Sequence, residues 1–243
     1  MVRYERGARK DVTDEVPREA QVYLDVNGER VATFSCSPVD LEALGVGHLV
    51  TSGFLHVRDE LQNVQVLGGC DIIIDVRAAP RAGRGAGGLA PGGPPGQRPG
   101  GVASRGETPF GADVLLAAMD RLIAMGDVFR RTGGAHFAAL IDPARGCEPC
   151  VFFEDIGRLN AIDKAAGGGF LGGIDLGRAG LAVSCRVSRD AVGKAARAGL
   201  PLIVSRAGPS DGAIALAVEL GVTLVGFARG QRMNVYTHER RVV

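Results

Sequence analysis

The sequence predicts a mixed α/β protein, with a small β-rich N-terminal unit carrying one helix and a larger C-terminal unit built on a mixed sheet. Three observations carry this prediction. Residues 181–227 read strand–helix–strand–helix–strand with short connections, which implies a parallel sheet with right-handed crossovers. Asn27-Gly28 stands between two alternating runs, a strong type I′ hairpin signal. Residues 77–108 are Gly, Pro, Ala and Arg with almost no larger apolar side chain. Such a stretch cannot bury enough surface to offset its ordering entropy, so a flexible loop is expected there. The expected boundaries are 1–76, 77–108 and 109–243.

Composition narrows the function classes. The chain has 243 residues and a formal net charge of +1, which gives no broad surface for nucleic acid. No apolar run approaches the length of a membrane span. The first residues are charged and lack the apolar region of a signal peptide, so a cytoplasmic location is expected. Five cysteines, odd in number and mostly scattered, do not read as a secreted disulfide framework.

Residues 1–19 are polar and are expected to fray. Ala20 to Val26 alternates and reads as a strand, and Arg30 to Cys36 returns beside it. Ser37-Pro38 is expected to start a helix that runs to about Gly53, with Asp40 and Glu42 in its first turn. Short strands follow at Val64 to Leu67 and Asp71 to Val76.

Beyond residue 108, Val114, Leu115, Ala118, Leu122 and Met125 make the apolar stripe of a helix. His136 to Ile141 reads as a strand paired with Val151 to Phe153, so Cys147 and Cys150 fall at the hairpin tip. Gly157 turns the chain into a helix whose core stripe is Leu159, Ile162 and Ala166, with Asp163 and Lys164 on another side. Ser188 and Ser210 are placed to cap the last two helices.

The strand ends of the repeat read Ser184-Cys185-Arg186, Ser205-Arg206 and Phe227-Ala228-Arg229-Gly230-Gln231-Arg232. Gly157-Arg158 adds a fourth arginine-bearing junction. Ligands of parallel sheets bind beyond the carboxyl ends of the strands. Arginines beside helix N-termini there make a site for phosphate or pyrophosphate, although any one arginine alone could simply be solvated. No Walker or GxGxxG pattern is present.

Three uses compete for Cys147 and Cys150: half of a zinc site, a redox or sulfur-carrying pair, or turn residues with no role. His136 is followed by Phe137 and Ala138, and Gly146 precedes Cys147, so zinc deaminase chemistry is unsupported and no metal is expected. His136 itself reads either as a core histidine or as part of the site after Thr132-Gly133-Gly134.

These residues resemble the FdhD family, the formate dehydrogenase accessory sulfurtransferases. The matching blocks include Ser37-Pro38-Val39-Asp40-Leu41, Thr132-Gly133-Gly134-Ala135-His136, Glu154-Asp155-Ile156-Gly157-Arg158, Asn160-Ala161-Ile162-Asp163-Lys164 and Thr223-Leu224-Val225-Gly226-Phe227. The resemblance implies a cytidine-deaminase-like, three-layer C-terminal domain with a mixed sheet and no deaminase zinc. It also implies a homodimer that takes sulfur from a cysteine desulfurase. The sulfur would pass to the molybdenum bis-guanine-dinucleotide cofactor, bound as cargo, before insertion into formate dehydrogenase.

Residues 227–232 match the family's cofactor-binding loop, and Arg158, Arg186, Arg206 and His136 join them as expected cofactor contacts. The family's Cys-Gly-x-Cys-Gly pattern has no counterpart here, because residues 77–108 contain no cysteine. Cys147 or Cys150 is therefore the expected persulfide carrier, with a non-catalytic cofactor-binding chaperone as the alternative.

Overall fold

The computed structural model of the chain describes residues 1–79, 108–146 and 148–243. Cys147 and most of the Gly/Pro segment lie outside the described residues. Where composition predicts fraying, β1 (Val2–Glu5) and β2 (Ala8–Asp11) instead pair as an exposed hairpin. Its turn is Arg6-Gly7, both at positive φ, and Lys10 reaches Glu5 at 3.2 Å.

β3 (Ala20–Val26) and β4 (Glu29–Cys36) meet at Asn27 and Gly28, whose φ values of 52° and 89° are those of a type I′ turn. β5 (Leu61–Leu67) and β6 (Ile72–Ala78) complete a sheet of order β4-β3-β6-β5, in which β3 and β6 are parallel. Between them lies α1 (Leu41–Ser52). It starts three residues later than expected, at Asp40, because Ser37 is used elsewhere: its amide and hydroxyl are committed to Asp155 and Ile156.

The C-terminal sheet has the order β12-β11-β10-β9-β7-β8. β7 (His136–Ile141) and β8 (Pro149–Asp155) are antiparallel. β9 (Gly180–Val183), β10 (Leu202–Ser205) and β11 (Thr223–Arg229) are parallel. β12 (Arg232–Thr237) returns against β11.

Alternation sorts the sheet's side chains into two cores. Ala138, Leu140, Leu181 and Val183 face α4 (Arg158–Leu171), α5 (Arg189–Ala198) and α6 (Asp211–Leu220). Phe137, Ala139, Ile141 and Ala182 face α2 (Ala112–Met125). The result is the expected three-layer arrangement with a mixed sheet. A short α3 (Asp127–Thr132), absent from the sequence reading, precedes β7.

The first core continues through α1 into the small sheet, taking in Leu24, Val26, Leu44 and Ile74. α1 is thus buried on nearly all sides, between that sheet and α4. The α1–α4 crossing needs glycine. A Cβ on Gly47 would lie 1.7 Å from the Asp163 carbonyl oxygen, and one on Gly167 would lie 2.0 Å from that of Ala43.

Candidate functional site

Strand direction assembles one end of the large sheet. The carboxyl ends of the parallel β9, β10 and β11 fall together. β7 runs against β9, so its first residue, His136, comes to that same end. β8 runs against β7, so its last residue, Asp155, sits opposite His136. α4, α5 and α6 all leave this edge, from Gly157, Ser188 and Ser210. Ser188 and Ser210 cap as expected, accepting from Ala191 N and Ala213 N.

The edge gathers Arg158, Arg186, Arg206, Arg229 and Arg232, all five exposed. Among the described residues, no carboxylate lies within ion-pair distance of any of them. Helix N-termini carry partial positive charge, so together with the arginines they make the edge electropositive.

The connections beneath it are laced together. Arg206 N donates to Val183 O (3.2 Å), Val187 N to Gly208 O (3.2 Å), and Ser210 N to Val187 O (3.0 Å). Ser205 Oγ donates to Cys185 O (2.6 Å), and Ser184 Oγ accepts from Phe137 N (3.0 Å). Phe227 takes a φ of 53°, and its ring covers Gly208, where a Cβ would approach it to 2.7 Å. The Arg229 guanidinium lies 5.9 Å from the ring centroid. Gly230 at φ 58° opens the turn into Gln231 and Arg232.

Beside His136 lies a buried ion pair, with Asp155 and Lys164 both fully buried and 2.7 Å apart. Asp155 also accepts from Gly157 N (2.8 Å), Asn160 Nδ2 (3.1 Å) and Ser37 N (3.2 Å). Lys164 donates to Ser37 O (3.2 Å). The sequence placed Asp163 and Lys164 on a free side of the helix. They are buried instead, because α1 covers that side; α1 gives Asp163 the partners Thr51 and His48, while Lys164 turns to Ser37 and to Asp155 of β8. Asp163 lies 2.8 Å from Lys194 Nζ and 2.5 Å from Thr51 Oγ1.

Glu154, the neighbour of Asp155, caps α3. Its carboxylate accepts from Val128 N (3.0 Å) and Phe129 N (2.7 Å) at the start of α3. Gly126 and Gly133 bracket α3, and Asp127 sits in its first turn. That local signal could have revealed the helix.

Burial, then the Arg158 charge, lowers the His136 imidazole below its ordinary value, against a smaller opposing pull from Asp155. Its Nδ1 is buried without a hydrogen-bond partner among the described residues. Burial pushes the Cys185 thiol up, while Arg158 pulls it down. Cys36 is pushed up to about 11 by burial and by Asp155, against Lys164.

Cys150 is not at this edge. It lies beside Pro149, which pairs with Ile141 at the far end of β7. At about 3.4 Å per residue, β7 separates the two ends by roughly 17 Å. The Arg145 guanidinium is 4.0 Å from the Cys150 sulfur.

Fold and edge together define a three-layer α/β protein with a cationic, glycine-bearing sheet end. The chain matches the FdhD/NarQ family over residues 17–243, and it belongs to that family. It is 34% identical to the sulfur carrier protein FdhD of Streptomyces avermitilis, over 100% of this chain and 94% of the relative. It is 31% identical to the protein of that name from Methanothermobacter thermautotrophicus, over 97% and 94%. Its fold matches a crystal structure from Desulfotalea psychrophila, assigned as a formate dehydrogenase accessory protein, with TM-score 0.82 and 25% identity. That match covers 100% of this chain and 97% of the other. Among the described residues no helix is long and apolar enough to cross a membrane.

Proposed function

We propose that this chain is a sulfur carrier for formate dehydrogenase, and that its cationic sheet edge receives the molybdenum bis-guanine-dinucleotide cofactor as cargo. The observation that carries this reading is the convergence of Arg158, Arg186, Arg206, Arg229 and Arg232 on three helix N-termini, with no carboxylate neutralising them among the described residues. A dinucleotide cofactor offers pyrophosphates to such an edge and bases to the Phe227 ring.

In this reading Phe227, Ala228, Arg229, Gly230, Gln231 and Arg232 form one wall, and Arg158, Arg186, Arg206 and His136 the rest. A cysteine desulfurase supplies the sulfur, formate dehydrogenase receives the product, and the chain acts in the cytoplasm as a homodimer. A second reading, a cofactor-binding chaperone without sulfur transfer, is favoured by one observation. Cys150 sits at the opposite end of the sheet from the arginines.

Calorimetry with GDP, which carries the same base and diphosphate, tests the common part. A charge-assisted contact is worth about 1.5–3 kcal/mol, so Arg186→Ala and Arg206→Ala should each weaken binding about 10- to 100-fold. Absence of GDP binding to the folded wild-type chain would overturn both readings.

A further inference from the structure

Exposed apolar side chains cluster at the start of the chain. Met1, Val2, Tyr4 and Val16 all face solvent, and Tyr4 is 73% exposed. Every residue of β1 and β2 is exposed. A two-stranded hairpin with nothing against it is marginal in water, so this arm needs a surface to cover it. Its register fixes which side is apolar. Val2 opposes Asp11 and Tyr4 opposes Arg9, so these four share one face. Arg3, Glu5, Ala8 and Lys10 make the other. The arm is basic, with Arg3, Arg6, Arg9 and Lys10 set against Glu5 and Asp11.

A surface of the opposite character lies beside α3. β8 is the last strand of the large sheet, and among the described residues no strand pairs with its outer side. A cleft of about 240 Å3 has Val39, Asp40, Val128, Phe152, Phe153 and Glu154 among its walls. Successive strand residues point to opposite faces, so a cleft that both Phe152 and Phe153 reach follows the open edge itself. Val39 is 54% exposed above it. Native proteins cover such edges. The rim is acidic: Asp40, and Glu42 in the first turn of α1, have no ion-pair partner among the described residues.

Arm and cleft share one helix. Arg131 of α3 holds the root of the arm through Glu15 at 2.6 Å. Val128, three residues earlier on α3, is a wall of the cleft. Three residues are about 4.5 Å along a helix axis. The arm does not fill its own cleft, because all of its strand residues are exposed. A twofold axis beside α3 sets each arm against the cleft of the other copy, so that one contact is made twice.

We propose that the occupant of this cleft is a second copy of the chain. The Val2, Tyr4 and Arg9 face of each arm lies along the β8 edge of the other copy, and Arg6 and Arg9 meet its Asp40 and Glu42. The inference gives the homodimer named above its contact surface, and it rests on that reading.

The test places the photo-cross-linking residue benzoylphenylalanine at position 4 of the full chain, where the side chain is exposed and the fold does not depend on it. Sedimentation gives the oligomeric state. Irradiation of mixed isotopically heavy and light chains, followed by peptide mass, gives the site of contact. The expected result is a dimer, with heavy–light cross-links from position 4 to residues 37–40 or 152–154. Arg6→Glu/Arg9→Glu should raise the dimer dissociation constant at least about 10-fold, because each lost contact is lost twice. Adding Glu42→Arg should recover part of that loss, which an unfolded arm would not allow. A dimer whose cross-links fall elsewhere, or stay within one chain, would overturn the arm contact and leave the homodimer standing. A chain that is monomeric at every concentration tested would overturn both.

Discussion

Replacing Asp155 with alanine should remove most of the chain's stability. The carboxylate is fully buried and holds Lys164 Nζ at 2.7 Å, together with the amides of Gly157 (2.8 Å) and Ser37 (3.2 Å). Removing it leaves a buried ammonium without its counter-ion, which costs about 3–5 kcal/mol. Each orphaned amide adds about 1–3 kcal/mol, less whatever water entering the new space recovers. Domains of this kind have about 5–15 kcal/mol in total.

The loss is also spatially specific. Ser37 precedes α1 and Lys164 lies on α4, so the pair fastens the small sheet's helix to the large sheet. The assay is urea unfolding followed by circular dichroism and by fluorescence of a dye for exposed apolar surface. Asp155→Ala should lower stability by at least about 3 kcal/mol. The double variant Asp155→Leu/Lys164→Met should be more stable than Asp155→Ala, because it leaves no lone charge. A loss below about 1 kcal/mol for Asp155→Ala would show that the pair is not the anchor described here.

Other expectations are shorter to state. Gly47→Ala puts a Cβ 1.7 Å from the Asp163 carbonyl oxygen and should cost about 1–3 kcal/mol or more in thermal melts, whereas a neutral outcome would mean α1 and α4 are further apart. At Asp163, burial alone would raise the carboxyl, but Lys194 and His48 outweigh it and hold it below the usual carboxylate range. Its contribution is therefore present above about pH 4 and lost as pH falls through the folded value. Asp163→Asn should flatten the acid limb of the stability profile. His136 has a folded pKa below its ordinary value of about 6.5, so its contribution is full above about pH 6.5 and declines as the pH drops below it. An NMR titration of its ring should give a midpoint below about 6.5 that rises in Arg158→Ala, and a midpoint at or above 6.5 would contradict the burial argument.

What could be read from the sequence was local. Ser188 and Ser210 cap because a hydroxyl before a helix meets an amide three residues on, and that needs no tertiary knowledge. Asn27-Gly28 specifies its own turn for the same reason. The arginines at Arg186, Arg206 and Arg229 could be placed on one edge because parallel strands force their ends together.

Asp163 and Lys164 misled because helical period marks the most apolar stripe and says nothing of a second helix lying across another side. That helix can approach so closely only because Gly47 and Gly167 lack side chains, a non-local fact. α3 is six residues long, too short for a period to show, and Glu154 caps it from a distant strand. The placement of Cys150 away from the arginines follows from the direction of β7, which is fixed by its antiparallel pairing with β9.

The central claim is that the arginine-lined sheet end is the ligand site. It is tested most directly by mapping amide chemical shifts of the labelled chain during a GDP titration. The account predicts shifts concentrated at Arg158, at Arg186 to Ser188, at Arg206 to Ser210 and at Phe227 to Arg232, with Ala144 and Cys150 unmoved. Shifts centred on the Ala144–Cys150 end of the sheet, with the arginine end silent, would contradict it.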